Sequence, residues 1–95
     1  MNDIELYSKN IFEDIKHKDE NGIEYWEARE LQKALEYSQW RRFNSVIEKA
    51  MMACKLTVGD VYNDFAKVGK IVKSGATNKT IVDYKLSRYA CYLIV

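Results

Sequence analysis

Proline is absent from the 95 residues, glycine occurs four times and histidine once. Without proline there is no stiff extended linker and no proline-rich recognition segment, and turns have to come from Gly, Asn, Asp and Ser. Four scattered glycines form no glycine-rich phosphate loop. The single histidine, His17, has no nucleophile at motif spacing. Only two cysteines occur, Cys54 and Cys91. They have neither metal spacing nor a close partner, and read as reduced, buried thiols of a cytoplasmic protein. Glu13, Asp14, Asp19, Glu20 and Glu24 lack the spacing of an EF-hand and read as solvated surface. The sequence therefore predicts a non-enzymatic domain with no catalytic set, no metal and no cofactor. No apolar run approaches the roughly 20 residues of a membrane span. The N-terminus lacks the basic and apolar regions of a secretory signal.

What is present is a small globular chain, 47% hydrophobic and 31% charged, enough for one modest core. The net charge of +1 hides an uneven distribution. Residues 1–26 carry seven acids and three bases, and residues 27–64 carry six of each. Residues 65–95 carry six bases and one acid, Asp83. A basic end on a near-neutral chain creates a local field that attracts phosphate. A merely solubilising set of lysines is the competing reading.

Hydrophobic spacing divides the chain into elements. Ile4, Tyr7, Ile11 and Ile15 predict an opening helix, with Asp3 as its cap. Asn21-Gly22 predicts a small hairpin with a type I′ turn, leading through Trp26 into a second helix over 27–36. Ala28, Leu31, Ala34 and Leu35 form that helix's apolar face, and Arg29 and Lys33 point away. Ser38 is a candidate cap for a third helix over 39–55. Trp40, Phe43, Val46, Ile47, Ala50, Met51 and Cys54 share one face of it. Residues 57–65 hold one short helical turn. Residues 67–86 read as a second, basic hairpin with a loop over Ser74–Asn78. Ser87 caps a closing helix that ends on apolar residues at Val95. The expected class is α+β: helix, β-hairpin, a helix pair like a helix-turn-helix, basic β-hairpin, C-terminal helix.

The strings EYWEARELQKALEYSQWRRFNSVIEKA and DYKLSRYACYLI, preceded by FEDIKHKDENG, resemble the bacterial DNA-damage-inducible protein D family. The resemblance runs from Phe12 to Ile94. More distantly, the layout resembles the N-terminal domain of phage antirepressor and baculovirus-repeated-ORF (BRO) proteins, domains regarded as DNA-binding. It implies that residues 1–95 form one BRO-N-like domain, the N-terminal part of a longer chain expressed in the SOS response. The uncapped apolar end at Val95 fits that expectation. The family name implies no chemistry.

Two sets of residues are candidates for nucleic acid. A helix-turn-helix offers long polar side chains from its second helix to the major groove. Arg41, Arg42, Ser45 and Lys49 lie on the outward face of the 39–55 helix and suit base edges or phosphates. The same pattern also describes the solvated face of an ordinary helical hairpin. The second set is Lys70, Lys73 and Lys79, flanking the tip of the 67–86 hairpin, where they would hold a DNA backbone without reading its sequence. Met52, exposed among charges, and Tyr92 and Val95, at the apolar end, are candidates for a subunit interface. Two functions are open. One is a non-catalytic DNA-binding domain. The other is a protein-interaction or homodimerisation module, antirepressor-like, acting on a repressor or DNA-repair protein. The acidic first third would suit a basic partner.

Overall fold

The computed structural model describes residues 11–56 and 60–95. Residues 11–15 are helical and form the described part of α1. Asp3, Ile4 and Tyr7, used to predict that helix, lie outside the described residues, as do Thr57, Val58 and Gly59. The fold is α+β. A four-stranded antiparallel sheet has the order β1-β2-β4-β3, and helices pack on it.

The first hairpin joins β1 (His17–Lys18) to β2 (Glu24–Glu27), with His17 opposite Tyr25 and Lys18 opposite Glu24. Its turn corrects the two-residue type I′ expectation. Gly22 alone has a positive φ, +80°, and Asn21 does not. The Gly22 N–H donates to the Asp19 carbonyl, and the Asp19 N–H donates to the Ile23 carbonyl. The Asp19 carboxylate accepts the N–H groups of Asn21 at 2.8 Å and Ile23 at 3.0 Å. This is a three-residue loop, a type I turn closed by a glycine bulge. Asp19 selects it by capturing two backbone donors that a tighter turn would leave exposed.

Helix α2 (Ala28–Ala34) is shorter than the 27–36 expectation because Glu36 enters the left-handed region at φ 65°. The Glu36 N–H donates to the Lys33 carbonyl, and the Tyr37 N–H donates to the Gln32 carbonyl. That pair of bonds is a Schellman ending, with glutamate where glycine usually sits. Helix α3 (Trp40–Lys55) buries Phe43, Ile47, Ala50 and Cys54, with Trp40 and Met51 half-buried against the core. Ser38 does not cap it. Gln39 holds the cap position and its side chain makes no cap bond; packing of Trp40 fixes the helix start instead.

The short turn expected in residues 57–65 is α4 (Val61–Asp64), capped by Asp60. Strands β3 (Phe65–Ser74) and β4 (Thr77–Leu86) form the second hairpin. Ser74 pairs with Thr77, so the turn is Gly75-Ala76 rather than the longer loop expected. Gly75 has φ 65° while Ala76 does not, as in a type II′ turn, whose twist matches the strands. Helix α5 (Arg88–Ile94) is capped as expected: the Ser87 hydroxyl accepts the Ala90 N–H at 3.0 Å. That hydroxyl also donates to Asp64 Oδ1 at 2.6 Å, tying α4 to α5.

Only residues 85–86 of β4 pair with β2, through Trp26 opposite Leu86 and Glu27 opposite Lys85. Directly opposed residues share a sheet face. Trp26, Leu86, Phe65 and Tyr84 therefore look one way, into a core completed by Phe43, Ile47 and Cys54 of α3 and Ala90 and Cys91 of α5. Trp26 is fully buried. Its indole N–H donates to the Phe12 carbonyl at 2.8 Å, and its ring meets Phe12 edge-on. Beyond this root the β3–β4 ribbon continues for some eight residues per strand, at roughly 3.4 Å per residue. With this arm included, the molecule measures 48 Å in its longest dimension and about 30 Å in the others.

Candidate nucleic-acid interface

Helix α3 turns Arg41, Arg42, Ser45 and Lys49 to solvent. Arg41, Arg42 and Lys49 have no acidic partner among the described residues. Ser45 donates back to the Arg41 carbonyl at 3.3 Å, so its proton is engaged within the helix. The five residues between Ala34 and Trp40 exceed the three- to four-residue turn of a helix-turn-helix. The pair resembles that motif in order more than in its turn.

The start of α3 is fixed by a residue whose spacing alone sends it into solvent. Arg29 of α2 stacks its guanidinium on Trp40, 3.9 Å from the ring centroid, and its Nε donates to the Val82 carbonyl at 2.9 Å. Arg29 thus joins the first turn of α3 to the root of the arm. The Arg29 backbone N–H donates to Asp83 Oδ1 at 3.0 Å, so a strand carboxylate caps α2. Asp83 also accepts the Tyr84 N–H at 2.8 Å and is 1% exposed. Nothing local marks this role; a lone acid in a basic strand is the one sequence signal for it.

The arm separates its lysines. By register, Lys70, Lys79 and Lys85 lie on the face of Asp83, and Lys67 and Lys73 lie on the face of Tyr84. Lys70, opposite Ile81, reaches back toward the root, with Nζ 3.7 Å from Glu27 Oε2 and 3.8 Å from Asp83 Oδ2. It is a bridging group with two anionic neighbours. Lys85 lies over the Tyr25 ring, 4.9 Å from its centroid. Lys67, Lys73 and Lys79 are exposed and have no acidic partner among the described residues. Between Lys67 and Val82 there are four lysines and no acid.

Met52, Tyr92 and Val95 are 67%, 60% and 59% exposed. Leu56 and Tyr62 are more exposed still, and neither stands out by spacing. They sit on α3, α4 and α5 or at their ends, and these three helices pack together. Among the tyrosines, Tyr84 belongs to the core, while Tyr62 and Tyr92 are exposed.

The two charged ends of the chain partly neutralise each other. Arg88 of α5 clamps Glu24 of β2 with Nε–Oε1 2.7 Å and Nη2–Oε2 2.9 Å, a bidentate pair. Lys16 pairs with Glu13 at 2.9 Å and lies 3.7 Å from Glu24. The hydrogen bonds from Arg88 hold the Glu24 carboxyl below its ordinary range, and the bond from Lys16 does the same for Glu13. With Asp19 engaged in its turn, three acids of the first third have hydrogen-bond partners within the chain.

The histidine does acquire partners in space. His17 Nε2 contacts Glu30 Oε1, a short hydrogen bond, and lies 3.7 Å from Glu27 Oε1. The sequence expectation of no metal-ligating set did not foresee this meeting of β1, β2 and α2. Both cysteines are buried thiols. Burial pushes the Cys91 thiol up to about 12. Burial, then the negative charge of Asp64, raises Cys54, whose Sγ lies 3.7 Å from Asp64 Oδ2. Neither is poised as a nucleophile. No helix among the described residues is long and apolar enough to cross a membrane.

These features define a small α+β domain whose basic ribbon projects from a helical body. Across 85 residues, 88% of the chain, it is 42% identical to DNA damage-inducible protein D of Escherichia coli strain K12. This match supports the resemblance to the DNA damage-inducible protein D family carried by the aromatic-rich strings from Phe12 to Ile94. The match spans 31% of the relative's length. No family model matches, and no solved structure does, so neither supports the more distant likeness to antirepressor domains.

Proposed function

We propose that the chain is a non-catalytic DNA-binding domain of a DNA-damage-inducible, cytoplasmic protein. The observation that carries this reading is the projecting ribbon: four lysines and no acid between positions 67 and 82, with Lys67, Lys73 and Lys79 exposed and free of acidic neighbours among the described residues. A two-stranded ribbon is narrow enough for the roughly 12 Å major groove. Lysines on both of its faces meet phosphates on either side of such a groove. Arg41, Arg42, Ser45 and Lys49 extend the positive surface from the start of α3, which Arg29 clasps to the arm's root. Lys70, engaged by Glu27 and Asp83, contributes through the field at the root more than by direct contact. The relative's name, a DNA damage-inducible protein, agrees with a role near DNA.

The test is fluorescence anisotropy of the chain with labelled duplex and single-stranded DNA at several salt concentrations. Saturable duplex binding is expected, weakening with salt. The slope should fall by about 0.9 for each phosphate contact removed, so Lys73→Ala and Lys79→Ala should each flatten it. Arg41→Glu should abolish binding while circular dichroism stays native. Flat titrations at low salt would sink the reading.

A second reading, a protein-interaction or dimerisation module acting on a repressor or DNA-repair protein, is favoured by the exposed Met52, Leu56, Tyr62, Tyr92 and Val95. Sedimentation equilibrium of the chain and of Met52→Lys separates it from the first: this substitution should change assembly and leave DNA affinity alone.

A further inference from the structure

We propose that His17, Glu27 and Glu30 form a binding site for one first-row divalent transition-metal ion, with zinc as the fitting example. The three ligand atoms come from β1, from the end of β2 and from the first turn of α2, and all lie within 4.8 Å of one another. The fold itself produces this convergence. Register puts His17 opposite Tyr25, on the sheet face that also carries Glu27, two residues further along. Glu27 is the last residue of β2, and Glu30 comes one helical turn later, so both carboxylates come round to the same imidazole.

The geometry is close to what an ion needs. Tetrahedral zinc with bonds of about 2.0–2.1 Å holds its ligand atoms roughly 3.4 Å apart. His17 Nε2 and Glu27 Oε1 are already 3.7 Å apart. All three side chains are part-exposed, 26–39%, so rotation about their own bonds opens the His17–Glu30 contact and brings Glu27 in without moving backbone. The surroundings also orient the ligands. The Tyr25 ring stacks on His17, 5.3 Å between centroids and 19° between planes, which fixes the imidazole's plane. Lys70 lies 3.7 Å from Glu27 Oε2, the oxygen that does not face His17, and holds that carboxylate's orientation.

One imidazole nitrogen with two carboxylate oxygens selects the class of ion. Calcium takes six to eight oxygens and magnesium prefers an oxygen octahedron, so neither suits three ligands of which one is nitrogen. Zinc and its neighbours accept imidazole and carboxylate together, with the remaining positions left to water. An ion here would fasten β1, a strand of only two residues, to α2. Such a short strand holds weakly by its own hydrogen bonds.

His17 is the sole histidine, so its ring nitrogens give one set of signals in long-range 1H–15N spectra of the chain. Zinc is expected to move the His17 Nε2 resonance, to bind one per chain in calorimetry and to raise the melting temperature. Magnesium should do none of these. His17→Ala and Glu30→Gln should each weaken zinc by at least about tenfold, with circular dichroism of the apo variants native. An unmoved ring resonance at submillimolar zinc overturns the proposal. So does zinc binding that persists unchanged in His17→Ala, which would point to the cysteines or to adventitious surface acids. Neither readout involves DNA, so failure here leaves the DNA reading standing.

Discussion

The Arg29 guanidinium stacks on the Trp40 ring at 3.9 Å while its Nε reaches the Val82 carbonyl. One side chain thereby fastens helix α3 and strand β4 to α2. Arg29→Ala should lower stability by about 1–2 kcal/mol, from the lost cation–π contact and hydrogen bond. Arg29→Lys should recover only part of this, because an ammonium cannot stack and donate in one plane. Urea unfolding of the three proteins checks the order.

Asp83 serves two backbone donors from a buried position. Asp83→Ala leaves the Arg29 and Tyr84 N–H groups without their acceptor and should cost about 1–3 kcal/mol. Asp83→Asn keeps an acceptor oxygen at the same place and should cost distinctly less. Equal midpoints for the two variants would contradict the capping role.

Glu36 occupies a left-handed position at φ 65° that glycine fills without strain. Glu36→Gly should stabilise the chain by about 0.5–1 kcal/mol, the strain relieved less the flexibility added to the unfolded chain. A lower melting temperature would count against this account of the α2 ending.

Glu24 is held below its ordinary 4.5 by Arg88. Its stabilising effect is therefore present above pH 4.5 and disappears as pH falls through the lowered value. Glu24→Gln should be less stable than the parent at neutral pH and converge with it in acid. Chemical denaturation across the acid range tests the convergence.

At the alkaline end the sign reverses. Folding holds both thiols protonated above the ordinary value of 9.0, Cys91 to about 12. Unfolded thiols ionise first, so stability present below pH 9.0 should decline as pH climbs from there towards about 12. The native chain should resist a thiol reagent at about pH 8 that labels both cysteines once it is unfolded.

Much of the fold was legible because helices advertise themselves by period. The α3 face, the Ser87 cap and the basic hairpin each rest on local patterns, and the structure keeps all three. The misses share a cause. Asp19 redirected the first turn by capturing backbone donors, which a reading of Asn21-Gly22 alone does not weigh. Glu36 ended α2 in a conformation for which glutamate is no signal. Arg29, Asp83 and His17 found partners 13 to 54 residues away, and no local spacing encodes a meeting at that range. Of the candidate interface, the exposure of Arg41, Arg42, Ser45 and Lys49 was readable. The assignment of Lys70 and Lys79 to one ribbon face and Lys73 to the other depended on knowing the register.

The ribbon also has two open edges. β3 is the outermost strand, and beyond Lys85 β4 has no second strand beside it among the described residues, with Arg29 covering only the Val82–Asp83 stretch. Ile71-Val72 and Ile81-Val82 give it the composition that invites a further strand to add on. The lysines between them repel a second ribbon of the same sign. Charge in the arm therefore opposes edge-to-edge pairing of two such ribbons. Neutralising those lysines removes a safeguard against strand-to-strand association, so loss of solubility should accompany loss of positive charge.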